Sequence, residues 1–429
     1  MSTTHGDSAA NPPPAGHGAK PNQFGGPLGA LALTIVMPAA TFYLWSANAH
    51  HGGSLWLPRS LAQLGQMVPA PTLEAALLFA GWLAFQAVLY VFGPGRVVQG
   101  WPTEHGERAE YRINGLFAFG VTAVALLAGI RFEWISPRDV LAQWGPLLTI
   151  ATVFAFGAAA LSYVAGRRRA HLERSTGHPV YDFYMGTILN PKLGRYDLKF
   201  FFESRIGMAT WGAFAILLPA AQLQADGTIS TAMLVVSLCQ VFYIVDFFVF
   251  ESTLLTMIDI IEENFGLMLW FAFLVWMPFN FVLQQQYILA AKPQLPTVAA
   301  IVLVALNFGG YYVFRTANLQ KQGFRRDPTR PVWGKPPVTM DTARGTKLLL
   351  SGWWGLARHA NYLGDLCMAY AWCLACGLGS VVPYFYVLYF TPLLLDRERR
   401  DNAMCQRKYG EDWDRYCRKV PYRIVPFLY

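Results

Sequence analysis

The residues of this chain best suited to chemistry are concentrated in one stretch, Leu348–Asp365, which reads LLLSGWWGLARHANYLGD. Trp353, Trp354, Arg358, His359, Asn361 and Tyr362 fall close together there, and Asp365 follows within one helical turn of Asn361 and Tyr362. Polar side chains are costly in hydrocarbon unless they find partners or water, so lipid-facing sequence has no use for such a cluster. An indole stacks on a flat ring. An asparagine amide offers a donor and an acceptor to an amide or a ribose hydroxyl. The stretch therefore reads as one wall of a small-molecule site at a membrane boundary. The plainer alternative is a juxtamembrane anchor, with Trp and Arg resting at the headgroups.

Three other groups of residues invite the same question. In FYIVDFFVFESTLLTMIDIIEENFG (242–266), Asp246 and Glu251 follow Tyr243 by three and eight positions, so the three can share one helical face. Acids inside a membrane are functional by default, although some only cap helices or pair with arginines. Asp259, Glu262 and Glu263 reach the interface on this reading. Lys321 and Arg325 lie four apart in RTANLQKQGFRRDPTR (315–330), where two cations repel unless an anion such as phosphate sits between them. On spacing alone, ordinary positive-inside loop charge explains the pair better. Asp396, Arg397, Arg400 and Asp401 recur at helical spacing where the last apolar run meets the tail, a set able to meet ribose and phosphate.

Other chemistries are absent. No GxGxxG follows a strand-like run, so a nucleotide site would have to be built from helices. Of the six cysteines, Cys373 and Cys376 have CxxC spacing, but inside an apolar run and without a second pair; neither a disulfide framework nor a metal site is expected.

The elements that must position these groups are membrane helices. The chain is 54% hydrophobic and 14% charged, against about 25% charged residues in a soluble domain. Apolar runs of spanning length lie near 27–47, 72–92, 114–130, 143–165, 207–223, 229–250, 264–285 and 297–315, with a closely spaced pair at 362–380 and 381–395. The fold class is thus an all-α polytopic membrane protein of about ten helices. Residues 1–26 form a Pro/Gly/Ala-rich tail without the pattern of a cleaved signal peptide; 27–206 hold helices one to four and a polar loop; 207–429 hold the remaining helices and a charged tail.

Loop charge orients the chain. With the N-terminus in the cytoplasm, the cytoplasmic loops and tail carry 27 Lys and Arg, and the opposite loops only Arg59, Arg131, Arg138 and Lys292. The positive-inside rule then puts both termini in the cytoplasm. The net charge of +8 is accounted for by topology and calls for no nucleic-acid partner.

YDFYMGTILNPKLG (181–194), SGWWGLARHANYLGD (351–365) and DRERRDNAMCQRKYGEDWDRYCRKVPYRIVPFLY (396–429) together resemble the integral-membrane sterol reductases. LLTMIDIIEENFG (254–266) and FRTANLQKQGFRR (314–326) fit the same family. The likeness covers most of 177–429; the first half matches only in hydropathy. Lys192 stands where the family usually has Arg, and Ala360 where it usually has Pro.

The resemblance implies NADPH-dependent reduction of a sterol-nucleus double bond. It places the nucleotide pocket among the C-terminal helices on Lys321, Arg325, Leu349, Trp354, Asn361, Tyr362, Asp401, Cys405, Gln406, Arg407, Lys408, Tyr409 and Tyr416. An isolated olefin must be protonated before it accepts hydride. Tyr243 is the first candidate for the acid, with Asp401 as its partner near the nicotinamide, and Asp246 is the second. The substrate is a sterol drawn from the bilayer, and no metal is required. LLTMIDI (254–260) and SGWWGLARHANYLGD lean towards C14 reductases, VDFF (245–248) towards C7 reductases. Δ14 reduction is therefore expected, with Δ7 reduction as the alternative. A membrane methyltransferase using S-adenosylmethionine and a non-catalytic sterol-binding protein are the competing classes.

Overall fold

In a computed structural model, residues 23–102, 108–168 and 174–429 are described. Ten main helices follow one another: α1 (Gly26–His51), α2 (Leu73–Phe92), α3 (Gly115–Arg131), α4 (Trp144–Arg168), α5 (Leu198–Asp226), α6 (Thr231–Val249), α7 (Leu267–Ala291), α8 (Thr297–Arg326), α9 (Ala360–Leu374) and α10 (Phe385–Tyr409). A shorter amphipathic helix, α11 (Glu411–Lys419), follows. Seven of the ten are long and apolar enough to cross a membrane; α3 is a shorter apolar helix, and α9 and α10 complete the expected series. The only paired strands among the described residues are three two-stranded hairpins, the longest Arg96–Pro102 with Arg108–Ile113. The protein is an all-α polytopic membrane protein.

Local chemistry sets several helix starts. Thr72 accepts from the Ala75 amide at 3.1 Å and Ser230 from the Met233 amide at 3.3 Å, each satisfying a donor that a helix start leaves free. α5 and α7 contain π-helical segments, Phe202–Met208 and Ala272–Asn280, which pack on one another. α8 and α9 approach until their backbones touch. A Cβ on Gly310 would lie 2.6 Å from the Gly364 carbonyl oxygen, and one on Gly364 would lie 2.4 Å from that of Gly310. Small residues at such a crossing let membrane helices pack without a gap.

Basic side chains of α5 and α10 meet the stretch Asp259–Glu263 at one end of the bundle. Lys199 Nζ donates to the Ile260 and Glu263 carbonyls at 3.1 and 2.8 Å, Arg397 pairs with Asp259 at 3.1 Å, and Arg400 pairs with Glu263 at 3.3 Å. At the other end Lys292 pairs with Asp226 at 2.7 Å.

Several boundaries differ from the sequence reading. α5 starts at Leu198 instead of 207, so the 206/207 boundary falls inside a helix. Lys199 and Arg205 are therefore not loop cations; both are buried within the bundle. α8 runs on to Arg326, and α10 carries the start of the tail to Tyr409. Glu251 does not share the face of Tyr243, because α6 ends at Val249 and a 3₁₀ turn, Glu251–Thr256, redirects the chain.

That redirection puts Glu251 against Arg205. The pair is 2.5 Å apart and both side chains are fully buried. Arg205 also donates to Asn114 Oδ1 at 2.6 Å, and Glu251 accepts the Gly115 amide at 2.8 Å. The guanidinium lies 5.4 Å from the Tyr90 ring centre. The pair thus joins the start of α3, α5 and the turn after α6. Breaking one side of a buried pair strands the other charge, at a cost of about 3–5 kcal/mol. Glu251→Ala should therefore lower the thermal midpoint of the detergent-solubilised protein by several degrees, and Glu251→Ala with Arg205→Met should recover part of the loss. An unchanged midpoint in the single variant would show that the pair does not hold the fold.

Candidate functional site

Two polar clusters lie along the paired helices α8 and α9. The outer one is at their basic ends. The chain enters it through Lys347–Leu349, a strand paired with Thr339–Asp341, and then a short turn of helix, Trp353–Leu356. That turn anchors both indoles to α8: Trp353 Nε1 donates to Thr316 Oγ1 and Trp354 Nε1 to the Ala317 carbonyl, each at 2.8 Å. Leu349, Phe324 and Val332 pack with Trp354 behind it. Lys321, one turn beyond Ala317, sets its ammonium 4.1 Å from the centre of the Trp354 ring.

The start of α9 supplies the opposite edge. His359 Nε2 lies 3.1 Å from Asp401 Oδ2 of α10, and its ring stacks on Tyr362 with centroids 4.9 Å apart. Asn361 Nδ2 donates to Asn318 Oδ1 at 3.2 Å. Lys321 and Arg325 lie near enough to Asp401 for both charges to favour its ionised form. Arg325 itself is exposed.

The tail closes this cluster from below. Arg358 donates to Asn402 Oδ1 at 3.0 Å, to Cys417 Sγ at 2.9 Å and to the Pro421 carbonyl at 3.3 Å. Tyr416 of α11 donates to the Trp354 carbonyl at 3.3 Å, and burial pushes its hydroxyl well above the ordinary phenol range, so it stays a donor. Cys405 packs with Tyr409, Trp413 and Tyr416 and stands beside Lys321.

The structure does not bring every expected residue to this place. Gln406 and Arg407 are exposed, and Gln406 is used on the Gly410 carbonyl and Asp414. Lys408 lies over the Tyr409 ring at 5.1 Å. Arg397 is matched by Asp259, and Arg400 by Glu263 and Asp396, while Asp401 of the same quartet meets His359.

The inner cluster is centred on Tyr243 of α6. Its ring sits among Trp211, Phe314 and Trp372, at 5.7, 6.3 and 5.6 Å between centroids, yet remains only half-buried. Asp365 of α9 is half-buried as well. Asp246 is held differently: it is ion-paired with Arg315 and accepts from the Tyr311 hydroxyl at 2.8 Å. Arg315 in turn lies 3.7 Å from the Phe250 ring centre.

Sequence reading counted His359 and Asp365 in the wall of the site without giving either an individual role, and gave none to Asn318. Asn318 carries no sequence signal. Asp365 does carry one, as the single charge in ANYLGDLCMAYAWCL.

The outer cluster fits a nucleotide. The Asn361 Oδ1 and His359 Nδ1 atoms are buried without a partner, beside a stacked indole and two cations. Such orphaned polar atoms call for a ligand or water. No group of His, Cys, Asp and Glu among the described residues is arranged to hold a metal ion.

Known proteins share this chain almost end to end. Residues 19–429 match the family described as "Ergosterol biosynthesis ERG4/ERG24 family". The Delta(14)-sterol reductase of Methylotuvimicrobium alcaliphilum is 45% identical over 402 residues, spanning 93% of this chain and 94% of that protein. Delta(14)-sterol reductase TM7SF2 of Mus musculus is 41% identical over 416 residues, spanning 95% and 98%. The 7-dehydrocholesterol reductase of Xenopus laevis is 37% identical over 394 residues, spanning 86% and 83%. With its motifs, helix series and near-complete alignment in agreement, the chain belongs to the Ergosterol biosynthesis ERG4/ERG24 family.

Proposed function

We propose that this protein is a membrane-embedded sterol reductase that saturates the C14–C15 double bond with NADPH as reductant. The observation that carries the substrate is the agreement of relatives named Delta(14)-sterol reductase, at 37–45% identity over more than nine-tenths of the chain. The 7-dehydrocholesterol reductase relative keeps Δ7 reduction as the second reading.

The two clusters divide the work. Lys321 and Arg325 receive the phosphates, Trp354 offers a flat face, and the free Asn361 oxygen accepts from a carboxamide or ribose. Leu349, Tyr362, Cys405, Tyr409 and Tyr416 close the pocket, and His359 fixes Asp401 at its inner edge. NADPH, when bound there, supplies hydride. Tyr243 donates the proton to the olefin, and the aromatic rings around it exclude water and tolerate the carbocation that results. Asp246 serves to seat Arg315 at the bundle edge and is not the acid. The sterol enters from the bilayer.

Expression in a yeast strain lacking its own C14 reductase should convert Δ8,14-sterols to Δ8-sterols. Conversion of Δ7-sterols alone would establish the second reading, and no conversion of any sterol would support a binding protein. Loss of a charged contact to the 2′-phosphate costs on the order of 1.5–3 kcal/mol, or roughly ten- to a hundredfold in affinity. Lys321→Ala and Arg325→Ala should weaken NADPH by that factor while leaving NADH nearly unchanged; equal weakening of both would put the pair on the pyrophosphate. Both termini lie in the cytoplasm on this reading. Cysteines introduced as His5→Cys and Val425→Cys should resist an impermeant thiol reagent in intact cells, and strong labelling of either would reverse the topology.

A further inference from the structure

We propose that Gln240 and Asn307 are positioning residues for the reduction: each holds one of the two indoles that frame Tyr243, and together they fix the plane of its phenol ring. This rests on the reading that the Tyr243 hydroxyl protonates the olefin. Trp211 of α5, Trp372 of α9 and Tyr243 of α6 form a triangle of rings. Centroids lie 5.7 Å apart for Trp211 and Tyr243, 5.6 Å for Trp372 and Tyr243, and 6.0 Å for the two indoles, with planes at 46°, 81° and 69°. Both indoles are 1% exposed, whereas Tyr243 is half-buried, so the phenol is the corner of the triangle with accessible surface.

Each buried corner is pinned by an amide from another helix. Trp211 Nε1 donates to Gln240 Oε1 of α6 at 3.0 Å, and Gln240 Nε2 donates onward to the Phe281 carbonyl of α7 at 2.9 Å. Trp372 Nε1 donates to Asn307 Oδ1 of α8 at 2.9 Å. Gln240 is fully buried and Asn307 is 1% exposed. A buried indole N–H needs a partner, so turning either indole would strand its hydrogen and an amide oxygen with it. The bonds thus fix the planes of both indoles. Tilted and edge-on ring contacts have preferred angles, so those planes set that of the phenol they enclose. Gln240 stands one turn before Tyr243, so the group that locks Trp211 rides on the same helix as the phenol.

The two amides sit in otherwise apolar runs, LVVSLCQVFY (234–243) and VLVALNFGG (302–310). Hydrogen bonds between membrane helices add little to their association on average, so what these amides supply is direction more than strength. Both act on the reaction through the indoles. A phenol free to tilt no longer aims its O–H bond, while the nucleotide cluster at the basic ends of α8 and α9 keeps its own contacts. Loss of a pin therefore falls on turnover and not on cofactor binding. Misplacing a reacting group by about 1 Å costs up to roughly a hundredfold in rate.

The test uses purified full-length protein, NADPH and a Δ8,14-sterol. Gln240→Met and Asn307→Leu should each lower kcat roughly ten- to a hundredfold, while KM and NADPH affinity stay within about threefold. Trp211→Phe with Gln240→Met should be no slower than the slower single variant, since Gln240 acts through the indole that is gone. A kcat within about threefold of wild type in either amide variant, losses that multiply in the double variant, or a parallel loss of NADPH binding would overturn the proposal. If either amide variant does not fold, the milder Gln240→Asn and Asn307→Ser, which draw the acceptor back from the indole, decide by fluorine NMR. The protein is labelled with 3-fluorotyrosine, and the line of position 243 is assigned from Tyr243→Phe. That line should broaden or shift in both variants, and an unchanged line in either refutes the frame. Wild-type protein inactive on every sterol would defeat the reductase reading instead, while the fluorine result on the frame would stand.

Discussion

The contact of Gly310 with Gly364 is the constraint on which the site depends. Any side chain at either position would push α8 and α9 apart, because an added Cβ would meet carbonyl oxygen at 2.6 and 2.4 Å. The two helices carry between them Lys321, Arg325, Asn318, Asn361, Tyr362 and Asp365. Separating them by the width of a methyl group would part the Asn361–Asn318 hydrogen bond and move Asp365 relative to α6. The polar groups are far from strong individually; their register comes from two residues with no side chain.

On the proposed function, the same helix pair serves two very different molecules. The outer cluster is polar, capped by the tail and anchored by indole N–H groups to α8. The inner cluster is walled by Trp211, Trp372 and Phe314 around the Tyr243 phenol. Asn361 and Asp365 lie one turn apart on α9, about 6 Å along its axis. A water-soluble nucleotide can thus approach from the basic end, and a lipid from the bundle side, and meet within a helical turn.

Much of this was legible in the sequence. Hydropathy gave ten runs at the ten helices, and the dense stretch 348–365 does form the wall of the outer cluster. The failures have physical causes. Lys199 and Arg205 were read as loop charges because hydropathy cannot see that carbonyl groups and a buried carboxylate satisfy them inside α5. Glu251 was placed on the Tyr243 face because helical spacing says nothing about where a helix stops. Asp246 drew attention as an intramembrane acid, but its partner Arg315 lies 69 residues away in sequence, and pairing across that distance has no local signal.

The buried Arg205–Glu251 pair has a consequence for biogenesis. Helices α1 to α5 leave the ribosome with Arg205 in place and no carboxylate opposite it. Glu251 arrives only after α6 has been made, 46 residues later. Until then the growing chain holds an uncompensated charge that its own apolar surroundings penalise. Helix insertion in order, pair by pair, therefore cannot finish the first half of this protein by itself. A nascent chain truncated before Glu251 would hold Arg205 without the carboxylate that matches it in the finished fold.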